Sequence, residues 1–302
     1  MTFKNDVKLD TSQVEDLRGR RIGGRGMAIG GAGGLGGVVL LVIVVLLGGG
    51  GGGGTGDLGS LLNQVAGAGA GAGADAGPAS TALASQCKTG ADANARDDCR
   101  VVGYVDSVQA YWVAVFRDSN EQYEPSRTRF FSDAIQTGCG GASSAMGPFY
   151  CPADKYVYID LGFFDELKTK FGARGGPFAQ AYVIAHEYGH HVQDLLGLLE
   201  GGSGGAGATS QSVRNELQAD CFAGAWAGNA VETGYLEPLT EAQIADALDA
   251  AAAVGDDRIQ SQYQGRVNPE SWTHGSSEQR QRWFTIGYET GDPTRCDTSG
   301  GL

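Results

Sequence analysis

The sequence predicts an α+β protein: a mostly helical domain with a small sheet, preceded by a single transmembrane helix and a glycine-rich tether. Three observations carry this reading. Apolar residues recur at helical spacing in several stretches of the C-terminal two thirds. Strand-like alternation is clear in Lys155 to Asp160, where Val157 and Ile159 face one way and Tyr156 and Tyr158 the other. Ahead of both lie an uncharged stretch and an unbroken run of glycine.

Residues 1–26 are polar, with Arg18, Arg20, Arg21 and Arg25 close together, and are expected to form a cytoplasmic tail. Met27 to Leu47 carries no charge and as a helix would span roughly 31 Å, about one hydrocarbon core. Only Val38 to Leu47 is continuously apolar, a length that also suits a secretory signal. The long polar leader and the lack of a cleavage site after Leu47 favour an uncleaved anchor over 27–47. No basic residue follows Arg25 until Lys88, an asymmetry that places the N-terminus in the cytoplasm and the remainder outside. The expected location is therefore the cell membrane, single-pass, with the domain after the tether extracytoplasmic. Residues 48–80 begin with Gly48 to Gly54 and stay rich in Gly and Ala. Such a chain buries too little to offset its ordering entropy, so a disordered linker is expected. The domain proper is expected over 81–302.

Within the domain, Asp106 to Phe116 reads as a helix with Val108, Trp112 and Val115 on one face. Cys151 to Asp154 reads as a turn before the strand at 156–160. Phe178 to Leu199 reads as a long helix stopped by Gly201 and Gly202, and Val213 to Val231 as another. Thr240 is placed to cap a helix running to about Val254, with Glu241 in its first turn. Ser277 to Tyr288 reads as the last helix.

Composition excludes several classes. A net charge of −13 argues against nucleic acid as the main partner, because phosphate binding needs a basic surface. The 51 glycines cluster without a three-residue period, which excludes collagen. Hydrophobic residues at 41% supply ample material for a core. Six cysteines outside the cytoplasm point to disulfides. Cys87 and Cys99 lie twelve residues apart, as do Cys139 and Cys151; local pairing then leaves Cys221 with Cys296. A cysteine metal site is disfavoured because no short-spaced Cys pair exists, and a nucleophilic Cys221 would have to be free and paired with His.

The informative stretch is His186-Glu187-Tyr188-Gly189-His190. On a helix, positions i and i+4 share a face, so two imidazoles there can reach one ion. Glu187, offset by one residue, can instead hold the water on that ion as general base, the HExxH arrangement of zinc hydrolases. The alternative is a structural histidine pair. Ile184, Tyr188, Leu195 and Leu199 mark a buried helix, and Gly189 leaves room for a neighbouring helix to pack.

A catalytic zinc, Zn²⁺, needs a third protein ligand. Glu216 and Asp220 are again i and i+4 on a helix made buried by Leu217, Cys221, Phe222 and Trp226. Glu216 is the preferred ligand and Asp220 the carboxylate that fixes the tautomer of a ligating histidine; the reverse is the main rival. His191 points about 100° away from His190 and is expected to be hydrogen-bonded or at the surface. His274 is a candidate donor to the oxyanion of a scissile carbonyl; alternatively it is only local to a helix capped by Ser276 or Ser277.

HExxH followed by Glu216-x-x-x-Asp220 resembles the gluzincin pattern of thermolysin-like and membrane heat-shock or prenyl-protein proteases. The His274-Gly275-Ser276-Ser277-x-x-Arg280 stretch is similar to a segment of the latter. More closely, the chain resembles the bacterial neutral zinc metallopeptidases, in Asp10 to Asp16, Gly147 to Pro152, Tyr156 to Asp160, His186 to His191 and Glu216 to Gly224. The resemblance implies a zincin-like domain and peptide hydrolysis, and names no substrate. The leading expectation is a membrane-anchored zinc endopeptidase acting on a peptide or protein substrate. Tyr156 to Asp160 would serve as an edge strand for extended substrate, or else as a plain core strand. Alternatives are a non-catalytic, zinc-stabilised envelope scaffold, or a zinc hydrolase of a non-peptide amide bond.

Overall fold

The computed structural model describes residues 3–19, 78–199 and 204–302. Among these, the strands are β1 (Val14–Asp16), β2 (Arg127–Phe131), β3 (Ala134–Thr137), β4 (Gly140–Ser143), β5 (Phe149–Cys151) and β6 (Tyr156–Asp160). The helices are α1 (Pro78–Gln86), α2 (Gly90–Ala95), α3 (Asp97–Asp118), α4 (Phe163–Thr169), α5 (Pro177–Leu195), α6 (Gln211–Gly228), α7 (Glu241–Ala253), α8 (Asp256–Gln264) and α9 (Ser277–Thr290). The expected mixture, mostly helical with a small sheet, is what forms.

The long helices start close to their expected positions, but α5 stops at Leu195, ahead of the expected stop at Gly201 and Gly202, with Gly197 at φ 69° just beyond it. Ser210 accepts from the Val213 N–H and opens α6. Thr240 and Gln243 form a reciprocal capping box at α7, as Ser276 and Gln279 do at α9. The helix expected at 106–116 is longer at both ends. Asp97 and Asp98 favour its first turn and Arg117 its last.

The sheet runs β1-β2-β6-β5, with β1 parallel to β2, β2 parallel to β6, and β5 antiparallel to β6. Tyr156–Asp160 is therefore an inner strand, paired on both sides, and the expected edge role falls away. The edge beside the helices is β5, three residues long, joined to β6 by the expected turn, with Lys155 at φ 58°. Helices α5 and α6 lie in the core, with α9 crossing α6 and α7 beside α5. Gly224 and Gly287 allow the α6–α9 crossing: a Cβ on Gly224 would fall 2.0 Å from the Phe284 carbonyl oxygen, and one on Gly287 the same distance from that of Cys221. All three expected disulfides form: Cys87–Cys99, Cys139–Cys151 and Cys221–Cys296.

The N-terminal expectations are corrected. Among the described residues no helix is long and apolar enough to cross a membrane. The expected anchor at 27–47 lies outside the described residues, as does the expected linker up to residue 77. The polar stretch expected to stand apart as a tail contributes residues 3–19 to the domain itself. Phe3 is buried against Tyr104, and β1 extends the sheet. The Asp16 N–H donates to Ser80 Oγ at 2.9 Å, so the two ends of the interval 20–77 emerge side by side. A single crossing would put residues 3–19 and the domain on opposite sides of a membrane, yet they share one core. The single transmembrane helix and the single-pass membrane location, with a cytoplasmic N-terminus and an extracytoplasmic domain, are not supported.

Candidate metal centre and active site

Helix α5 enters through Gly176, at φ 106°, and Pro177, whose missing N–H removes one of the donors a first turn leaves unpaired. Between its two ligating positions Gly189 lets α6 approach: a Cβ there would lie 3.0 Å from Ala219 Cα. This close approach brings Glu216 over the histidine pair. His186 Nε2 is 3.2 Å from Glu216 Oε2, and His190 Nε2 is 3.5 Å from Glu216 Oε1. One donor atom from each of the three residues lies within 4.8 Å of the others, and all three are buried. This group could hold a metal ion.

Hydrogen bonding at the far side of each ring supports that fit. Gln193 Nε2 donates to the Asn215 carbonyl oxygen at 2.8 Å, so its Oε1 faces His190 Nδ1 at 2.9 Å. That acceptor places the ring proton on Nδ1 and leaves the Nε2 lone pair toward Glu216. His186 Nδ1 likewise meets Asp220 Oδ1 at 2.8 Å. With both rings neutral, two nitrogen lone pairs and a carboxylate converge; without a metal, a proton on His186 Nε2 would bridge to Glu216 instead. Such an arrangement calls for a cation, and N₂O is a donor set that zinc accepts.

The surrounding charge points the same way. Burial alone would depress the His186 imidazole, but Asp220 and Glu216 reverse this and lift it to about 10. Burial would raise Glu216, yet the neighbouring histidines hold it well below the usual carboxylate range. The site thus favours positive charge. Asp220 is itself kept ionised against burial by Arg280, whose Nε donates to Oδ2 at 2.8 Å and whose Nη2 donates to Oδ1 at 3.0 Å. Tyr182 adds its hydroxyl to Oδ1 at 2.6 Å.

A family model described as putative neutral zinc metallopeptidase matches residues 1–299. The chain belongs to that family. It is 58% identical over 222 residues to an uncharacterized protein of Mycobacterium tuberculosis, Rv2575, covering 71% of this chain and 74% of that one. It is 49% identical over 195 residues to the uncharacterized protein YpfJ of Escherichia coli K12, covering 63% of this chain and 67% of the relative. No solved structure matches.

In this member of the family the triad borders a cavity that Glu187 and His274 also line. Glu187 is not one of the three converging groups; burial raises its carboxyl pKa, and the neighbouring His186 and His190 oppose that rise. His274 lines the cavity, and Ser276 caps α9. The loop is held by Asp256, which accepts the N–H groups of Thr273 and His274 at 2.7 Å each. His191 is fully buried and hydrogen-bonded, away from the triad.

Three residues near the site escaped sequence reasoning. Gln193 sits three residues after His190 on the same helix, a spacing that could have suggested its contact. Arg280 stands in the motif already singled out, but nothing in the chain marks it as buried. Asp256 reaches His274 across eighteen positions, with no local signal.

Proposed function

We propose that this protein is a zinc-dependent endopeptidase. The reading rests on the convergence of His186, His190 and Glu216, with both imidazoles tied back through Nδ1 and Glu187 on the same cavity. His186, His190 and Glu216 would hold the ion, and Asp220 would orient His186. Zinc bound there supplies Lewis-acid polarisation of a carbonyl and makes water more acidic. Glu187 takes the proton from the attacking water and delivers it to the leaving amine, so the proton ends on the new N-terminus. His274 stands to donate a hydrogen bond to the oxygen that gains charge on the scissile carbonyl. Phe163, Phe171, Val183 and Ile259 give the cavity apolar walls suited to an apolar side chain of a peptide.

The test is Glu187→Gln. The variant should retain one zinc per chain and lose peptide turnover by about 10²–10⁴-fold. Undiminished turnover would remove Glu187 from the mechanism. Stoichiometric zinc with no cleavage of any peptide in a library by the unaltered protein would overturn the peptidase reading.

A further inference from the structure

We propose that His191, acting through Tyr150 and Asp194, is a positioning residue that pins edge strand β5 to helix α5 and so fixes one wall of the cavity over the metal triad. The consequence for turnover rests on the peptidase reading above; the pinning itself does not.

His191 follows a ligating position but points about 100° round the helix from it. Its ring is fully buried and committed to other partners. Nε2 lies 2.7 Å from the Glu124 carbonyl oxygen, which can only accept, so Nε2 carries the proton. Nδ1 lies 3.1 Å from the Tyr150 hydroxyl. That hydroxyl is also 2.7 Å from Asp194 Oδ2, one turn further along α5. The rings of Tyr150 and Tyr123 pack on the imidazole at 5.3 and 5.6 Å. The hydroxyl has one proton for these two acceptors, so it donates to Asp194 or to His191 at any moment, and either bond ties the strand residue to the helix that carries the histidine pair.

Tyr150 sits in a sensitive place. Its strand pairs with β6 on one side only. The residues just before β5, Met146 to Pro148, line the cavity together with His186 and Glu187. Gly147 turns the chain there at φ 72°, beside Phe163. A shift of β5 along α5 would displace this wall, which faces Glu187 across the same cavity. It would leave the triad intact, because those three residues come from α5 and α6 alone.

The experiment uses the full chain loaded with zinc, and compares Tyr150→Phe, His191→Leu and His191→Asn. The first keeps the ring and deletes the hydroxyl; the second deletes both polar contacts. The third places an amide where Nδ1 was. Zinc stoichiometry and affinity, measured against a competing chelator, should match the unaltered protein in all three. Amide hydrogen exchange over 146–151 should be at least about tenfold faster in Tyr150→Phe and His191→Leu. On a quenched peptide substrate these two should lose about 10²-fold in kcat with little change in KM, since a displacement near 1 Å has that cost. His191→Asn should recover part of both effects. Unchanged exchange over 146–151 in Tyr150→Phe overturns the proposal, as does zinc loss in parallel with activity. If the unaltered protein cleaves no peptide, the peptidase reading fails, and the exchange result alone decides the pinning.

Discussion

The segment Phe3–Asp16 and the crossing of α5, α6 and α9 both pack into the core, but they are held by different means. At the crossing, backbones meet through Gly189, Gly224 and Gly287, and the Cys221–Cys296 disulfide ties α6 to the C-terminal segment. The charged groups inside it are paired: Arg280 with Asp220, and the histidines with carboxylates or an amide. The N-terminal segment is laid on from outside. Phe3 and Val14 are its buried apolar anchors, and it adds backbone bonds such as Lys4 N–H to the Tyr235 oxygen and Leu17 N–H to that of Phe130. Among the described residues no disulfide reaches it. The difference teaches that the triad depends on helices near the middle and end of the chain, while the strap completes the sheet and can be loosened separately.

The largest expected effect comes from the crossing. Arg280→Met leaves Asp220 buried with its main cation removed, and breaking a buried pair on one side costs about 3–5 kcal/mol. In a domain of this size that lowers Tm by more than about 6 °C in a thermal melt. An unchanged Tm would mean that Asp220 does not need Arg280, and the contrast between paired core and added strap would lose its basis.

Next comes Phe3→Ala, which should act on the strap alone. The ring fills space next to Gly103, where a Cβ would come within 2.5 Å of it. Truncating a buried Phe removes about 3–5 kcal/mol when the whole fold must bear it. Here the strap can undock, so the global loss is limited to its own docking free energy. Hydrogen exchange should accelerate over residues 3–16 and stay unchanged over 177–195, with zinc content preserved. Equal acceleration in both regions would show that strap and site fold as one unit.

The same contrast explains what could be read in the chain. Helices α5, α6, α7 and α9 announce themselves through apolar spacing and caps at Pro177, Ser210, Thr240 and Ser276. Because helical residues four apart share a face, His186 with His190 and Glu216 with Asp220 were legible as pairs. The strap was not. Val14-Glu15-Asp16 has neither length nor alternation, and it becomes a strand only because β2 offers Thr128 to Phe130 as a partner. Local composition favoured a detached tail for the same residues, since it records charge and carries no information about a partner more than a hundred positions away. Arg280 was hidden for a related reason: a guanidinium is normally exposed, and only Asp220 on another helix makes its burial tolerable.

The smallest effect concerns Asp106, where the strap meets α3. Its carboxylate oxygens accept the Asp10 N–H and the Gln13 side-chain amide, each at 2.8 Å. Burial pushes its pKa up to about 8, with the Asp10 N–H only partly opposing this. The unfolded chain releases that proton near the ordinary aspartate value, so between roughly pH 4 and 8 the folded state binds more protons than the unfolded. Stability from this group is therefore fully present below the unfolded pKa and is lost as pH rises toward 8. The slope is at most about 1.4 kcal/mol per pH unit, less where solvent reaches the strap. Asp106→Asn removes the titration while keeping one acceptor, so exchange over residues 3–16 should lose its acceleration between pH 6 and 8. Because the charge lies at the strap and not at the crossing, protection over 177–195 should show the same pH dependence in both proteins. A pH response that persists over 3–16 in Asp106→Asn would assign it to another group and sever Asp106 from strap docking.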